Sequence, residues 1–327
     1  MFSSDLTQPS IPDILESTRT VLDTARHVRI DVDAVTILAG RLCDDPRLAE
    51  APDEALGFDG TPEQCANFVL LMDALNFCFW SDEPWVVEHR GRQWTRTHAM
   101  VAGLLRAVES DRTWLEADRW DATRPADVEM LFAGVSGRIP LFSKRLDIIR
   151  ETGAILRDRF DGSFLNAVED ACFDARRLAL LLAEGFPSFR DVAEYGGRPV
   201  AFLKRAQICA ADLHRLWFRH GMSRLTGLEA LTLFADYRLP QILRHTGVFQ
   251  LDPALAERID REELIEAGSP EEVELRAATI QAGTRLVDAL TQAGRPTPAW
   301  RLDYVLWLMS KEPDVSGPHH RTLTIYY

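Results

Sequence analysis

The chain has 327 residues, 46% of them hydrophobic and 27% charged, with 50 acidic side chains against 37 basic ones and a formal net charge of −13. That is an ordinary globular composition, and its acidic excess excludes a nucleic-acid duplex as the expected partner, although a locally positive pocket could still take a single nucleotide. No uncharged apolar run reaches the ~20 residues of a membrane span, and the five cysteines (Cys43, Cys65, Cys78, Cys172 and Cys209) show neither CxxC pairing nor metal-type spacing with histidine.

Residues 1–9 are polar and expected to be loose, and Met1-Phe-Ser-Ser-Asp5 has no basic or apolar leader region. The expectation is a reduced, cytoplasmic, monomeric protein with no metal, cofactor or membrane contact. Ser10 and Asp13 suggest a cap for a helix carrying Ile14, Leu15, Val21, Leu22 and Ala25, ended by His27–Asp31. A second helix is predicted over 32–42, and 44–60 is a turn-rich connection. Thr61-Pro-Glu-Gln64 is a capping-box start with proline at the first helical position. The helix it opens is predicted to run to Trp80 and is apolar nearly all round, which marks burial. Asp73, Asn76, Phe77 and Trp80 then share one face at i, i+3, i+4 and i+7. Buried polar groups must be hydrogen-bonded, so Asp73 and Asn76 either tie down loops or face a ligand.

Residues 83–96 read as a short hairpin, followed by helices at about 97–110, 141–160 and 164–184. Ser188 is a plausible cap after Gly185, and Tyr195-Gly-Gly-Arg-Pro199 is a tight turn of a second hairpin. A helix from Val200 follows, its buried stripe carrying Phe202, Ala206, Cys209, Leu213 and Leu216/Trp217, with Gly221 at its C′ position. Lys204 lies off that stripe with Ile208 and Ala211, and spacing alone makes it a solvated lysine. Ser269-Pro-Glu-Glu272 opens another capped helix through Leu290, and residues 302–307 form a short apolar helix containing Asp303. The tail, 317–327, is dense in His, Arg and Tyr and is expected to be docked.

The most chemically loaded stretch is Phe234-Ala-Asp-Tyr-Arg-Leu-Pro-Gln241. An apolar run with helical spacing (Leu228, Leu231, Phe234) ends there in Asp236, Tyr237 and Arg238, and Pro240 predicts a kink or helix-to-helix junction. Spacing alone favours Asp236 and Arg238 as helix caps. No phosphate-cradling glycine loop, zinc signature or nucleophile elbow is present. A carboxylate, a lysine and aromatic platforms suit cleavage of a nucleoside glycosidic bond, among other chemistries. The carboxylate would stabilise an oxocarbenium-like sugar while aromatic rings stack on the base.

A resemblance narrows this. The runs Leu75-Asn-Phe-Cys-Phe-Trp80, Glu151-Thr-Gly153, Gly162-Ser-Phe-Leu-Asn166, Phe186-Pro-Ser-Phe-Arg-Asp191 and Lys204-Arg-Ala-Gln207 closely resemble those of the queuosine salvage protein family. So do Phe234–Gln241, Glu272-Val-Glu-Leu-Arg276, Leu302-Asp-Tyr304, and His320-Arg321 with Tyr326-Tyr327. The motifs keep their order over about residues 61–327, and the first sixty are less distinctive. What the resemblance implies is a single, mainly α-helical domain similar to helix-hairpin-helix DNA glycosylases, with at most short β-hairpins. It also implies a queuosine 5′-phosphate N-glycosylase/hydrolase that releases queuine for reuse in tRNA. By motif position the family's catalytic aspartate and lysine fall on Asp236 and Lys204, which reverses the solvated reading of Lys204. Asn76, Phe77, Trp80, Asp73, Tyr237, Arg238, Asp303 and His320 become candidate substrate contacts, with Lys204, Arg238 or the His319-His320-Arg321 cluster available to the 5′-phosphate. Cys78 stands where some relatives carry serine. The competing readings are a non-catalytic queuine or nucleotide carrier and, less favoured at this charge, a nucleic-acid glycosylase.

Overall fold

The computed structural model describes residues 10–49, 57–222 and 224–327, so the expectation of a loose 1–9 segment lies outside the described residues. Among those described, fourteen α-helices are accompanied by three two-stranded antiparallel ladders, a mainly α architecture. Both expected hairpins form, Val86–His89 with Arg92–Thr95 and Val192–Tyr195 with Arg198–Ala201. The second turns through Gly196 and Gly197 at φ 56° and 76°, a left-handed pair that glycine adopts without strain. A third ladder, Val28–Ile30 with Phe249–Leu251, was not expected and joins the early chain to the late chain.

The Pro62–Ala74 helix is the centre of the larger core. Thr61 and Gln64 close the capping box, each backbone N–H donating 3.2 Å to the other's side chain. Every residue from Cys65 to Ala74 is buried, against the Phe164–Asp170 and Lys204–Arg219 helices among others. Inside it Asn67 knots two loops, donating to the carbonyls of Leu115 (2.9 Å) and Gly162 (3.2 Å) and accepting from the Phe164 N–H (2.7 Å). A second core surrounds the Pro270–Gln292 helix, started by Ser269 as its N-cap.

Four helix predictions need correction. The helix from Thr61 stops at Ala74, so Asn76, Phe77 and Trp80 do not sit on its face. Its last carbonyls and those beyond are taken by buried cations. Arg205 donates to Ala74 O, Lys204 Nζ to Asn76 O (3.3 Å), and Arg145 to the carbonyls of Leu75 (2.5 Å), Phe77 (2.6 Å) and Cys78 (3.0 Å). The predicted 164–184 helix breaks at Cys172 and Phe173, both at positive φ, where the chain pairs with Thr226. The run before Asp236 is irregular rather than helical, because side chains serve its backbone: Gln207 accepts from Thr232 N–H (2.9 Å) and Asp303 from Phe234 N–H (2.7 Å), while Arg276 donates to Ala235 O (3.2 Å). Val200 belongs to the second hairpin, and its helix spans Lys204–Arg219 with Gly221 at φ 66° just past its end. The tail is docked, as expected: Tyr327 is buried and its carbonyl accepts from the Cys78 N–H at 2.8 Å. No helix among the described residues is long and apolar enough to cross a membrane.

Candidate active site

A cavity of about 390 Å³ opens between the C-terminal end of Pro62–Ala74, the Lys204–Arg219 helix, the segment 234–237 and the Ala299–Met309 helix. Its polar floor is made by Asn76, Lys204, Asp236 and Asp303, and its walls by rings, including Phe77, Phe234, Tyr237, Trp307 and Tyr327. A flat heterocycle finds faces on several sides there.

Asp236 is placed by the helix that follows it. Its Oδ1 accepts from the N–H groups of Arg238 (2.7 Å) and Leu239 (3.0 Å), so the carboxylate caps the first turn of Arg238–His245. The residue is nonetheless half-buried and lines the cavity. Capping and facing a ligand are compatible because a carboxylate has two oxygens, and Oδ2 makes no hydrogen bond among the described residues.

Lys204 is buried, not solvated. It opens its helix after Leu203 at φ 50°, and its N–H donates 3.0 Å to Asp191 Oδ2. Asp191 in turn receives both terminal nitrogens of Arg276, at 2.9 and 2.5 Å, a buried bidentate pair that fixes where the lysine's helix begins. Burial pushes the ammonium down from its ordinary value, opposed by Asp236, Asp73 and Asp303. Burial and the neighbouring Asp236 push the Asp303 carboxyl well above the usual carboxylate range.

Of the ten side chains singled out from sequence, six line this cavity: Asp236, Lys204, Asn76, Phe77, Tyr237 and Asp303. Four do not. Asp73 lies one layer behind, wholly buried, accepting from Asn76 Nδ2 at 3.0 Å, and burial with Asp212 pushes it up. Arg238 lines an adjoining cavity of about 360 Å³. His320 is buried 3.3 Å from the Tyr327 hydroxyl, and half-buried Trp80 lies against Arg321.

Sequence reasoning missed Ile208, Asp212 and Arg215, which line the cavity at i+4, i+8 and i+11 from Lys204. It also missed Trp300, Tyr304 and Trp307, which stand with Asp303 at i, i+4 and i+7. Both stripes carry the spacing applied to Asn76; the off-stripe face of Lys204 was the signal. Among the described residues no group of three or more His, Cys, Asp or Glu is placed to hold a metal ion.

The family model described as queuosine salvage protein matches residues 56–327. The chain is 40% identical over 315 residues to a Sphaerobacter thermophilus protein named queuosine 5′-phosphate N-glycosylase/hydrolase, covering 96% of this chain and 97% of that one. It is 34% identical to a Mus musculus protein of the same name, over 95% of this chain and 98% of that one. A Schizosaccharomyces pombe protein, also so named, is 29% identical over 83% and 82%.

Proposed function

This chain belongs to the queuosine salvage protein family, and on that premise we propose that it hydrolyses the N-glycosidic bond of queuosine 5′-monophosphate, giving queuine and ribose 5-phosphate, with Asp236 and Lys204 as its catalytic pair. The observation that carries the assignment of residues is their meeting, from positions 32 apart in sequence, on the floor of one ring-walled cavity.

Queuine is a 7-deazaguanine, so the position where purines usually accept a proton is carbon, and help for the leaving group is confined to the pyrimidine edge. More of the barrier then falls on stabilising the sugar. As the bond between C1′ and the base nitrogen breaks, its electron pair leaves with the base and C1′ becomes oxocarbenium-like. Asp236, oriented by two backbone N–H groups on Oδ1, presents Oδ2 to that charge and to the attacking water. The water oxygen bonds C1′ and its proton passes to the departing base. Lys204 polarises the floor beside Asp236, and Asp303, when protonated, offers an O–H to a substrate hydroxyl. Phe77, Tyr237 and Trp307 stack on the base.

The test is incubation with queuosine 5′-monophosphate and with queuosine, following free queuine by mass spectrometry. Release from the monophosphate is expected; tight binding without release would mean a carrier. Asp236→Asn retains an oxygen to cap Arg238 and Leu239 and should fold normally. Its kcat is expected to fall by about a hundredfold or more, and a near-wild-type rate would remove Asp236 from the mechanism.

A further inference from the structure

Beside the cavity just described lies a second one whose walls are of another kind. It shares Thr97, His98, Tyr237 and Trp307 with the first and adds Arg96, Arg238 and Lys311. On a chain of net charge −13, three cations meet here. The single carboxylate in its lining, Glu312, is already bridged to Arg47 at 2.9 Å. Arg238 is 7% exposed; one terminal nitrogen donates to Gln241 (2.9 Å), while Nη2 is buried without a hydrogen-bond partner. Leaving a guanidinium donor dry and unpaired is costly. Arg96 makes no ion pair or hydrogen bond among the described residues, and it opens the fifteen-residue helix Arg96–Ser110, whose N-cap Thr95 supplies no side-chain cap. The first-turn N–H groups are therefore open to an outside acceptor, and the helix dipole adds positive potential. Desolvation of its ammonium against the Trp307 ring and the charges of Arg238 and Arg96 push Lys311 below its ordinary value, and His319, tilted against Tyr237 with ring centroids 4.5 Å apart, is pushed down to about 4 by burial and the surrounding guanidiniums.

We infer that Arg96, Arg238, Lys311 and the first turn of the Arg96–Ser110 helix form a phosphomonoester subsite that holds the substrate's phosphate while the glycosidic bond sits over Asp236. The inference rests on the proposed reading of the main cavity but makes its own claim: the phosphate lies on the Tyr237–Trp307 side. Lys204 is then left to the reacting centre, and the His320-Arg321 end of the tail to structure. Arg321 supports that division, since its guanidinium is already engaged by Asp82 and Glu262, both at 2.8 Å.

Arg96 and Lys311 are exposed, so Arg96→Gln and Lys311→Met should fold, with circular dichroism as control. Two measurements decide. Inorganic phosphate titrated calorimetrically into wild type should bind, and each variant should weaken it by about tenfold or more. The ratio of kcat/KM for queuosine 5′-monophosphate over queuosine should fall by a similar factor, through KM, with Arg96→Lys partly restoring it. Equal losses on both substrates, or phosphate binding that ignores both substitutions, would overturn the subsite while leaving the glycosidase standing. Phosphate binding at these residues in a protein that hydrolyses neither compound would do the reverse.

Discussion

Asp236 and Asp303 are two carboxyl groups within one cavity and they differ in kind. Asp236 spends Oδ1 on two backbone N–H groups, whereas Asp303 has one such donor, Phe234 N–H, and is far more buried. The raised Asp303 value carries a sign. The fold accommodates the protonated form, so its contribution to stability is whole below the ordinary carboxylate pKa of about 4 and is lost as pH rises through the elevated folded value. Asp303→Asn keeps an oxygen for Phe234 N–H and cannot ionise. Thermal melts from about pH 4 to pH 9 should show wild type losing stability relative to the variant as pH rises, with the two converging at the acid end. Curves that stay parallel would mean Asp303 ionises freely in the folded protein. Either result bears on mechanism, because only a protonated Asp303 can donate to a substrate hydroxyl.

At the scale of elements, the decisive feature is the end of Pro62–Ala74, where buried Arg145 and Arg205 and the catalytic candidate Lys204 hold the carbonyls of residues 74–78. Arg145 is wholly buried and its hydrogen bonds go to backbone carbonyls, including Pro140 O at 3.0 Å. Its guanidinium also lies 4.1 Å from the Phe77 ring centroid. Arg145→Met leaves three backbone acceptors of the loop unpaired and should cost about 3–5 kcal/mol in a denaturant titration. Because Asn76 and Phe77 sit on that loop, KM should rise in the surviving folded fraction; unchanged stability would show that water replaces the guanidinium without loss. This is also where sequence stopped being legible. The start of the helix is local chemistry, Thr61 with Gln64, and was readable. Its end is imposed by cations 70 and 131 residues away, and nothing in Leu75–Trp80 itself announces it. The irregular run before Asp236 was hidden likewise, its backbone served by Gln207, Asp303 and Arg276 from three helices. By contrast the Lys204 and Asp303 faces were readable, since Ile208, Asp212 and Arg215, or Tyr304 and Trp307, follow at plain helical spacing.

For the whole molecule, the charge distribution selects the form in which the nucleotide arrives. A duplex or folded RNA is bound mainly through many phosphates, each needing a cation on a broad face. This chain has 13 more acidic than basic side chains, and Arg96, Arg238 and Lys311 are gathered beside one cavity. That cavity, about 390 Å³ with rings around it, is within the range of small-molecule sites and suits one nucleotide. A nucleotide inside RNA would bring a chain leaving from both its 5′ and 3′ oxygens. One of those continuations would have to pass the docked tail, where buried Tyr327 accepts from Cys78 N–H and lines the cavity. The repulsion of flanking phosphates by the acidic surface adds to that obstruction. Intact queuosine-bearing tRNA should therefore release no queuine on incubation with the protein, while the same tRNA digested first to 5′-monophosphates should release it. The comparison is made by mass spectrometry of free base at low and raised salt. Release from undigested tRNA at either salt would mean that the tail swings away and that the acidic surface is no barrier.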